Sequence, residues 1–175
     1  MVTATQPTRE PKARRPRDMA LSMLVLIIPV FLIVGFYRYL GHETPPQIDT
    51  TEVYGSVQRA GQFQPLRPQS LPDGWRIVSA TFTDGVLRLG VTAPDDGALQ
   101  IVESAKPRAE LVPAIVGPGA KAGDEITIKN ITWQRYTQGR PGETALVQTT
   151  DPRTVIIVGQ AKDAQFRQLA ESLTA

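Results

Sequence analysis

The sequence predicts an α+β protein: one N-terminal transmembrane helix, then an extracytoplasmic, mostly antiparallel sheet packed by a C-terminal helix. Three observations lead to this prediction: an uncharged apolar run near the N-terminus, short strand-like runs divided by turn residues, and an amphipathic pattern at the C-terminus. The predicted segments are a disordered basic cytoplasmic tail over 1–18, the transmembrane helix over 19–40, a stalk over 41–70 and the α+β domain over 71–175.

The apolar run extends from Met19 to Tyr37 without a charged residue. As a helix it would be roughly 28 Å long, close to the thickness of the hydrocarbon core of a bilayer. A cleaved signal peptide has a shorter apolar core and a cleavage site of small residues. This run ends instead in the bulky residues 36–40. The pattern therefore favours an uncleaved anchor.

The charge distribution indicates the orientation of that anchor. The whole chain has a net charge of +2, but residues 1–40 hold six Lys/Arg and two Asp/Glu, whereas residues 41–175 hold 13 and 15. Because cations concentrate on the cytoplasmic side, the N-terminus is predicted in the cytoplasm of a cell-membrane protein and the larger part outside. A nucleic-acid-binding domain would need a basic face of its own. The composition thus argues against nucleic acid as a partner and for the lipid bilayer.

The segments that flank the apolar run are rich in proline. The tail over 1–18 is too polar to form a core and is predicted to be disordered. Pro45-Pro46 favours extended chain in the stalk, although 47–60 has a few apolar positions that suit a short helix on the domain or the membrane. Residues 71–74, Leu-Pro-Asp-Gly, are typical of a turn and mark the start of the domain.

The hydrophobic period changes to two after this turn, which is typical of strands. Asp84-Gly85 separates two such runs and predicts a tight hairpin. Residues 155–158 are apolar at every position, which suits a central strand covered by a helix. The predicted strands cover 75–83, 86–92, 98–104, 125–129, 131–137, 144–150 and 155–158, with a short helix over 107–116 and a loop over 117–123.

The last element shows the strongest helical pattern. Phe166, Leu169, Ala170 and Leu173 lie at i, i+3, i+4 and i+7, which places one apolar stripe against the sheet. Asp163 is the predicted N-cap. The chain has no Cys, so no disulfide supports this domain, and cysteine-based metal sites and nucleophiles are excluded.

No residue pattern in the chain predicts a catalytic, cofactor-binding or metal site, and no cofactor is expected. The single His, His42, lies in the proline-flanked stalk without a fixed partner, whereas acid–base catalysis needs a held geometry. The glycine-rich loop 117–123 lacks the order of residues that a phosphate loop requires. The acidic pairs Asp95–Asp96 and Asp124–Glu125 are adjacent in or beside turns, so the members of each pair point apart.

Four further residues have a structural and a functional interpretation. Glu103 is an acid within a predicted strand, and the sequence does not fix the face on which it lies. Trp75 and Trp133 suit the core or its rim better than a ligand-stacking role. Asn130 opens an Asn-Ile-Thr sequon between two strands, which matters only where the host glycosylates such sites.

Three stretches of sequence resemble a known family. They are residues 15–22 (Arg-Pro-Arg-Asp-Met-Ala-Leu-Ser), residues 71–80 (Leu-Pro-Asp-Gly-Trp-Arg-Ile-Val-Ser-Ala), and a C-terminal set of Trp133, Gly142–Val147, Thr154–Val158 and Leu169–Leu173. Together they resemble the actinobacterial single-pass membrane proteins grouped as domain-of-unknown-function family 4245, over about residues 15–175. The resemblance implies a bacterial inner-membrane protein with an extracytoplasmic domain, and it carries over no functional residue.

Two classes of function follow from these observations. The first is a membrane-anchored, non-catalytic interaction or accessory domain, with another envelope protein as the partner. The second is a small-ligand or lipid-binding domain that uses a pocket between sheet and helix, which would need several hundred cubic ångströms of mostly apolar space. An enzyme would need buried carboxylates that converge in a cleft.

Overall fold

A computed structural model describes residues 16–40 and 48–174. The chain divides into two compact units, Met1–Thr44 and Pro45–Ala175. Most of the tail that was predicted to be disordered lies outside the described residues, and its last residues, 16–18, form the start of the first helix. Pro45, Pro46 and His42 also lie outside the described residues.

The first unit contains helix α1, Pro16–Leu40, which includes the predicted span and has Pro29 in its interior. No helix within the described residues combines the length and the apolar character that a membrane crossing requires. The membrane crossing therefore stays a prediction.

The second unit is an α+β domain, as predicted, with a seven-stranded antiparallel sheet, a two-stranded sheet and three helices. The helices are α2 (Thr51–Ala60), α3 (Arg108–Ile115) and α4 (Asp163–Ser172). The strands are β1 (Arg67–Pro68), β2 (Arg76–Thr83), β3 (Val86–Ala93), β4 (Gly97–Ser104), β5 (Lys121–Ile128), β6 (Ile131–Thr137), β7 (Thr144–Thr150), β8 (Arg153–Gln160) and β9 (Leu173–Thr174).

The large sheet has the order β2-β3-β4-β8-β7-β6-β5, so two meanders meet where β4 pairs with β8. Helix α3 joins the meanders, and β1 pairs with β9 in the small sheet. The predicted hairpin at Asp84-Gly85 is confirmed: both residues have positive φ, 53° and 73°, which suits a tight turn between twisted strands.

The first face of the large sheet is covered by α2, α4 and the chain between α2 and β2. Alternate strand residues such as Leu87, Ile101 and Ile157 form one core with the α4 stripe, whose Leu169 has no exposed surface. The predicted stripe of α4 is therefore confirmed. Its N-cap is Lys162, with Asp163 as the first helical residue, because the Gln165 side chain accepts a hydrogen bond from the Lys162 backbone at 2.9 Å.

The second face is covered by α3 over one part only. Leu111, Val112 and Ile115 of the helix pack on Val102 and Ile156 of the central strands. The central strand β8 thus contributes to both cores, as its run of apolar residues predicts.

The prediction of a stalk over 41–70 is wrong for residues 48–70, because these residues are part of the α+β domain. Tyr54 and Val57 of α2, and Phe63 and Leu66 after it, are buried in the first-face core. Tyr54 and Val57 lie three residues apart on one face of α2, and that face packs on the sheet. The predicted loop 117–123 is also too long, because β5 begins at Lys121.

Candidate binding groove

A groove of about 460 Å³ lies on the second face of the sheet, beyond the area that α3 covers. Its floor is made of small and apolar residues of β3, β4 and β8, with Gly90, Ala98 and Val158 among them. Thr92, Gln100 and Gln160 supply polar groups to the same surface. The groove is open to solvent.

Strand register explains why these residues meet. Gly90 lies opposite Gln100, and Gln100 lies opposite Val158, so three neighbouring strands present them side by side. Ala98 lies opposite Gln160 one pair further along. Because alternate residues of a strand point to one face, the side chains on the floor of the groove come from every second residue of β3, β4 and β8.

The turn between β3 and β4 forms one rim of the groove and carries Asp96. Helix α4 holds this turn from the other side of the sheet: the amide nitrogen of Gln165 donates to the Pro94 carbonyl at 2.8 Å. Lys162 pairs with Asp95 at 2.8 Å, and its hydrogen bond and charge hold the pKa of that carboxyl below its usual value. The rim is therefore positioned by a helix of the first face.

The loop between β6 and β7 forms the opposite rim with Arg140 and Glu143. A Cβ at Gly139 would overlap the carbonyl oxygen of Val116, so this loop lies directly against the chain that follows α3. The nearest guanidinium nitrogen of Arg140 is 3.9 Å from Oε2 of Glu143, and no group in the described residues donates a hydrogen bond to that oxygen.

The chemistry of the groove suits recognition. Amide and guanidinium groups supply donors, carboxylates and amide oxygens supply acceptors, and the floor is partly apolar. Within the part of the chain that the structure describes, no three His, Asp or Glu side chains are placed to hold a metal ion.

A buried acid lies on the opposite face. Glu103 has no exposed surface, and its neighbours across the strands, Leu87 and Val155, belong to the first-face core. Its Oε2 accepts a hydrogen bond from the backbone of Leu66 at 2.9 Å and lies 3.9 Å from Nε of Arg153. Burial raises the pKa of Glu103 to about 7, although the Leu66 hydrogen bond and the Arg153 charge oppose the shift.

The structure separates the residues that the sequence singles out. Asp95 and Asp96 are exposed in a turn, and Asp124 and Glu125 are exposed on the edge strand β5, where the pairing is irregular. Asn130 is exposed in the turn between β5 and β6. Trp75 and Trp133 are buried in the first-face core, as the core interpretation predicts.

The groove residues were not identifiable as a site from the sequence. One signal was present: Arg88, Gly90 and Thr92 alternate with apolar residues in β3, which indicates a polar face. Arg140 and Glu143 join this face only through the order of the strands, and a single sequence does not specify that order.

The fold and the groove define an α+β protein whose antiparallel sheet has one face that carries the larger core and a second face that is partly open. A family model described as protein of unknown function (DUF4245) matches residues 12–173, and the chain belongs to that family. No curated protein and no solved structure shows a significant match.

Proposed function

We propose that this protein is a membrane-anchored binding domain, in which α1 holds the chain in the cell membrane and the groove receives a polar segment of another envelope protein outside the cell. The observation that carries this proposal is the second face of the sheet, which α3 covers on one side and leaves open on the other. The role is accessory and non-catalytic.

The anchor rests on the sequence from Met19 to Tyr37, which has no charge, and on the large apolar side chains of α1. Between Met23 and Phe36, the exposed fraction of every large apolar side chain of the helix is 44% or more. Exposing so much apolar surface to water is unfavourable, so this helix is expected to lie in an apolar environment. The cations before the run favour a cytoplasmic N-terminus and an extracytoplasmic α+β domain.

The character of the groove favours a protein segment. Enclosed ligand pockets are mostly apolar and bury most of their ligand, whereas this groove is open and has a rim of charged and amide side chains. Interfaces between proteins combine an apolar centre with a polar rim. The floor around Ala98 and Val158 would form the centre, and Asp96, Arg140 and Glu143 would form the rim.

A small ligand or a lipid headgroup is the second candidate, because the volume of the groove falls within the range of ligand sites. It would occupy the open sheet face, in contrast to the pocket between sheet and helix that the sequence suggests. The same substitution tests both candidates.

Ala98→Trp places a large side chain on the floor of the groove without altering the core, because Ala98 is exposed there. The matched control is Ala164→Trp, at an exposed position of α4. The full chain is cross-linked in intact membranes and purified with its partners. We expect one envelope protein to be cross-linked to the wild type and to the control, and to be lost from Ala98→Trp.

Equal cross-linking of both variants would overturn the groove as the binding surface. Co-purification of a lipid or small molecule that Ala98→Trp abolishes, without a protein partner, would favour the second candidate.

The orientation of the chain in the membrane is tested separately, by cysteine labelling. The chain contains no native cysteine that would interfere with this labelling. Single cysteines are introduced by Thr127→Cys, at an exposed position of β5, and by Thr5→Cys, in the N-terminal segment. A membrane-impermeant maleimide should label the first variant in intact cells and the second only after lysis. The reverse pattern would contradict the predicted topology.

A further inference from the structure

Residues 61–69 form an extended segment, which we call the strap, between α2 and the end of the small sheet. Phe63 and Leu66 of the strap are buried in the first-face core. At its end, Gln69 donates a backbone hydrogen bond to Ser172 at 2.8 Å, next to the pairing of β1 with β9. The strap thus fastens α2 to the rest of the domain.

Side chains from three elements hold the middle of the strap. Oε2 of Glu103 accepts from the Leu66 backbone nitrogen at 2.9 Å, and the Tyr54 hydroxyl donates to the Leu66 carbonyl at 3.2 Å. Arg153 donates to the carbonyl oxygen of Gln64. Both backbone groups of Leu66 are therefore held by buried or nearly buried side chains.

The polar contacts around Glu103 are incomplete. Its Oε1 is buried without a hydrogen-bond partner among the described residues, and so is Nε of Arg153, at 3.9 Å from Oε2. Arg153 of β8 and Tyr54 of α2 are the charged and titratable side chains that act on or with the carboxyl. Arg67 of β1 lies over Tyr54, with its guanidinium 4.6 Å from the centre of the ring. An ionised carboxyl here would have one backbone donor, and its nearest cationic nitrogen, Nε of Arg153, lies beyond hydrogen-bond distance at 3.9 Å.

We propose that Glu103 is a proton-operated latch: the neutral carboxyl keeps the strap docked on the sheet, and the ionised carboxylate favours an open strap in which water reaches the charge. Burying a charge without full hydrogen bonding is unfavourable, and opening the strap relieves that penalty. The strap is suited to open alone, because it contributes few side chains to the core and lies outside the large sheet.

The direction of the pH dependence follows from the docked state. Burial raises the pKa of Glu103 to about 7 when the strap is docked, whereas a solvated Glu has a pKa near 4.5. A raised pKa in the docked state means that docking is fully favourable below the solvated value and weakens as the pH rises through about 7. Burial also raises the pKa of Tyr54, which therefore stays neutral throughout this window.

Hydrogen exchange of the full chain in detergent micelles, read by mass spectrometry on peptides that cover 61–69, measures the opening. After correction for the intrinsic rate, the protection of the strap should fall by roughly one to two orders of magnitude between pH 5 and pH 8. Peptides of β8 should remain better protected than the strap at pH 8, because the sheet stays folded.

Glu103→Gln keeps the shape and the acceptor oxygen but cannot ionise, so protection of its strap should be independent of pH. Glu125→Gln, at an exposed position of β5, is the matched control and should keep the wild-type profile. A pH-dependent strap in Glu103→Gln, or strap and β8 peptides that lose protection together, would overturn the latch.

If Glu103→Gln does not fold, the latch can still be tested on the wild-type protein. The carboxyl carbon of Glu103 titrates in an NMR experiment on the same micelle sample. A midpoint near 7 supports the latch, and a midpoint near the solvated value of 4.5 refutes it.

Discussion

The two faces of the large sheet differ in how much of them is covered. The first face is packed by two helices and the strap, and Leu87, Leu89 and Ile101 on it have no exposed surface. The second face carries one short helix, and next to it the strands present Gly90, Gln100 and other small or polar residues to solvent. The first face therefore holds most of the core, and part of the second face is left open to solvent.

The boundary between the covered and the open part of the second face lies within single strands. In β4, Val102 of the second face is buried under α3, whereas Gln100, two residues earlier on the same face, borders the groove. The transition from core to open surface therefore occurs within one strand, over about 7 Å of chain. Substitutions on each side of that transition should therefore have very different effects on stability.

The largest effect is expected on the first face, from Leu169→Asp. Leu169 has no exposed surface and lies in the centre of the α4 stripe. A carboxylate there would be buried without a partner, which should cost roughly 4 kcal/mol or more and unfold the domain. Thermal unfolding of the full chain, followed by circular dichroism, measures the loss.

Gln168→Asp, at the neighbouring exposed position of α4, introduces the same group without burial and is the control. If Leu169→Asp melted with the wild type, α4 would not be part of the first-face core.

The helix α4 and most strands were predictable from sequence because their signals are local. Period-two runs and the Asp84-Gly85 turn specify hairpins, and the stripe around Leu169 specifies a helix on a sheet. The docking of the strap on the sheet was not predictable, because Phe63 and Leu66 lie among prolines in a segment without helical or strand periodicity. Their burial depends on where β4 and β8 place Glu103 and Arg153, which is tertiary information.

A smaller effect is expected from Leu111→Ala, in the covered part of the second face. Leu111 is 2% exposed and packs with Val102 and Ile156 beneath α3. The cavity left by this substitution should lower the free energy of unfolding by about 2–5 kcal/mol. Urea denaturation of the full chain provides the measurement.

Glu110→Ala is its matched control on the same helix. Glu110 pairs with Lys106 at 3.2 Å, and both side chains are exposed, so the loss should stay below about 1 kcal/mol. Equal losses for the two variants would mean that α3 does not form a core with the sheet.

The groove shows why a site of this kind resists prediction from one sequence. Its rims come from the turn after β3 and the loop before β7, and more than 40 residues of sequence separate Asp96 from Arg140. Only the pairing of β4 with β8 brings the two meanders together. Amide and small residues in exposed strand positions are common on solvated faces, so each one alone indicates nothing more than exposure.

The smallest effect is expected from Gln100→Ala, in the open part of the second face. Gln100 is half-buried, and no core cluster contains it, so the free energy of unfolding should change by less than about 0.5 kcal/mol. Val102→Ala, on the same face of the same strand, should cost roughly 2 kcal/mol, because α3 buries that side chain completely. Urea denaturation of both variants places the boundary between the core and the groove. A large loss for Gln100→Ala would show that the groove residues support the fold. A polar residue that packing does not require, on a surface that the fold leaves uncovered, is what a binding role predicts.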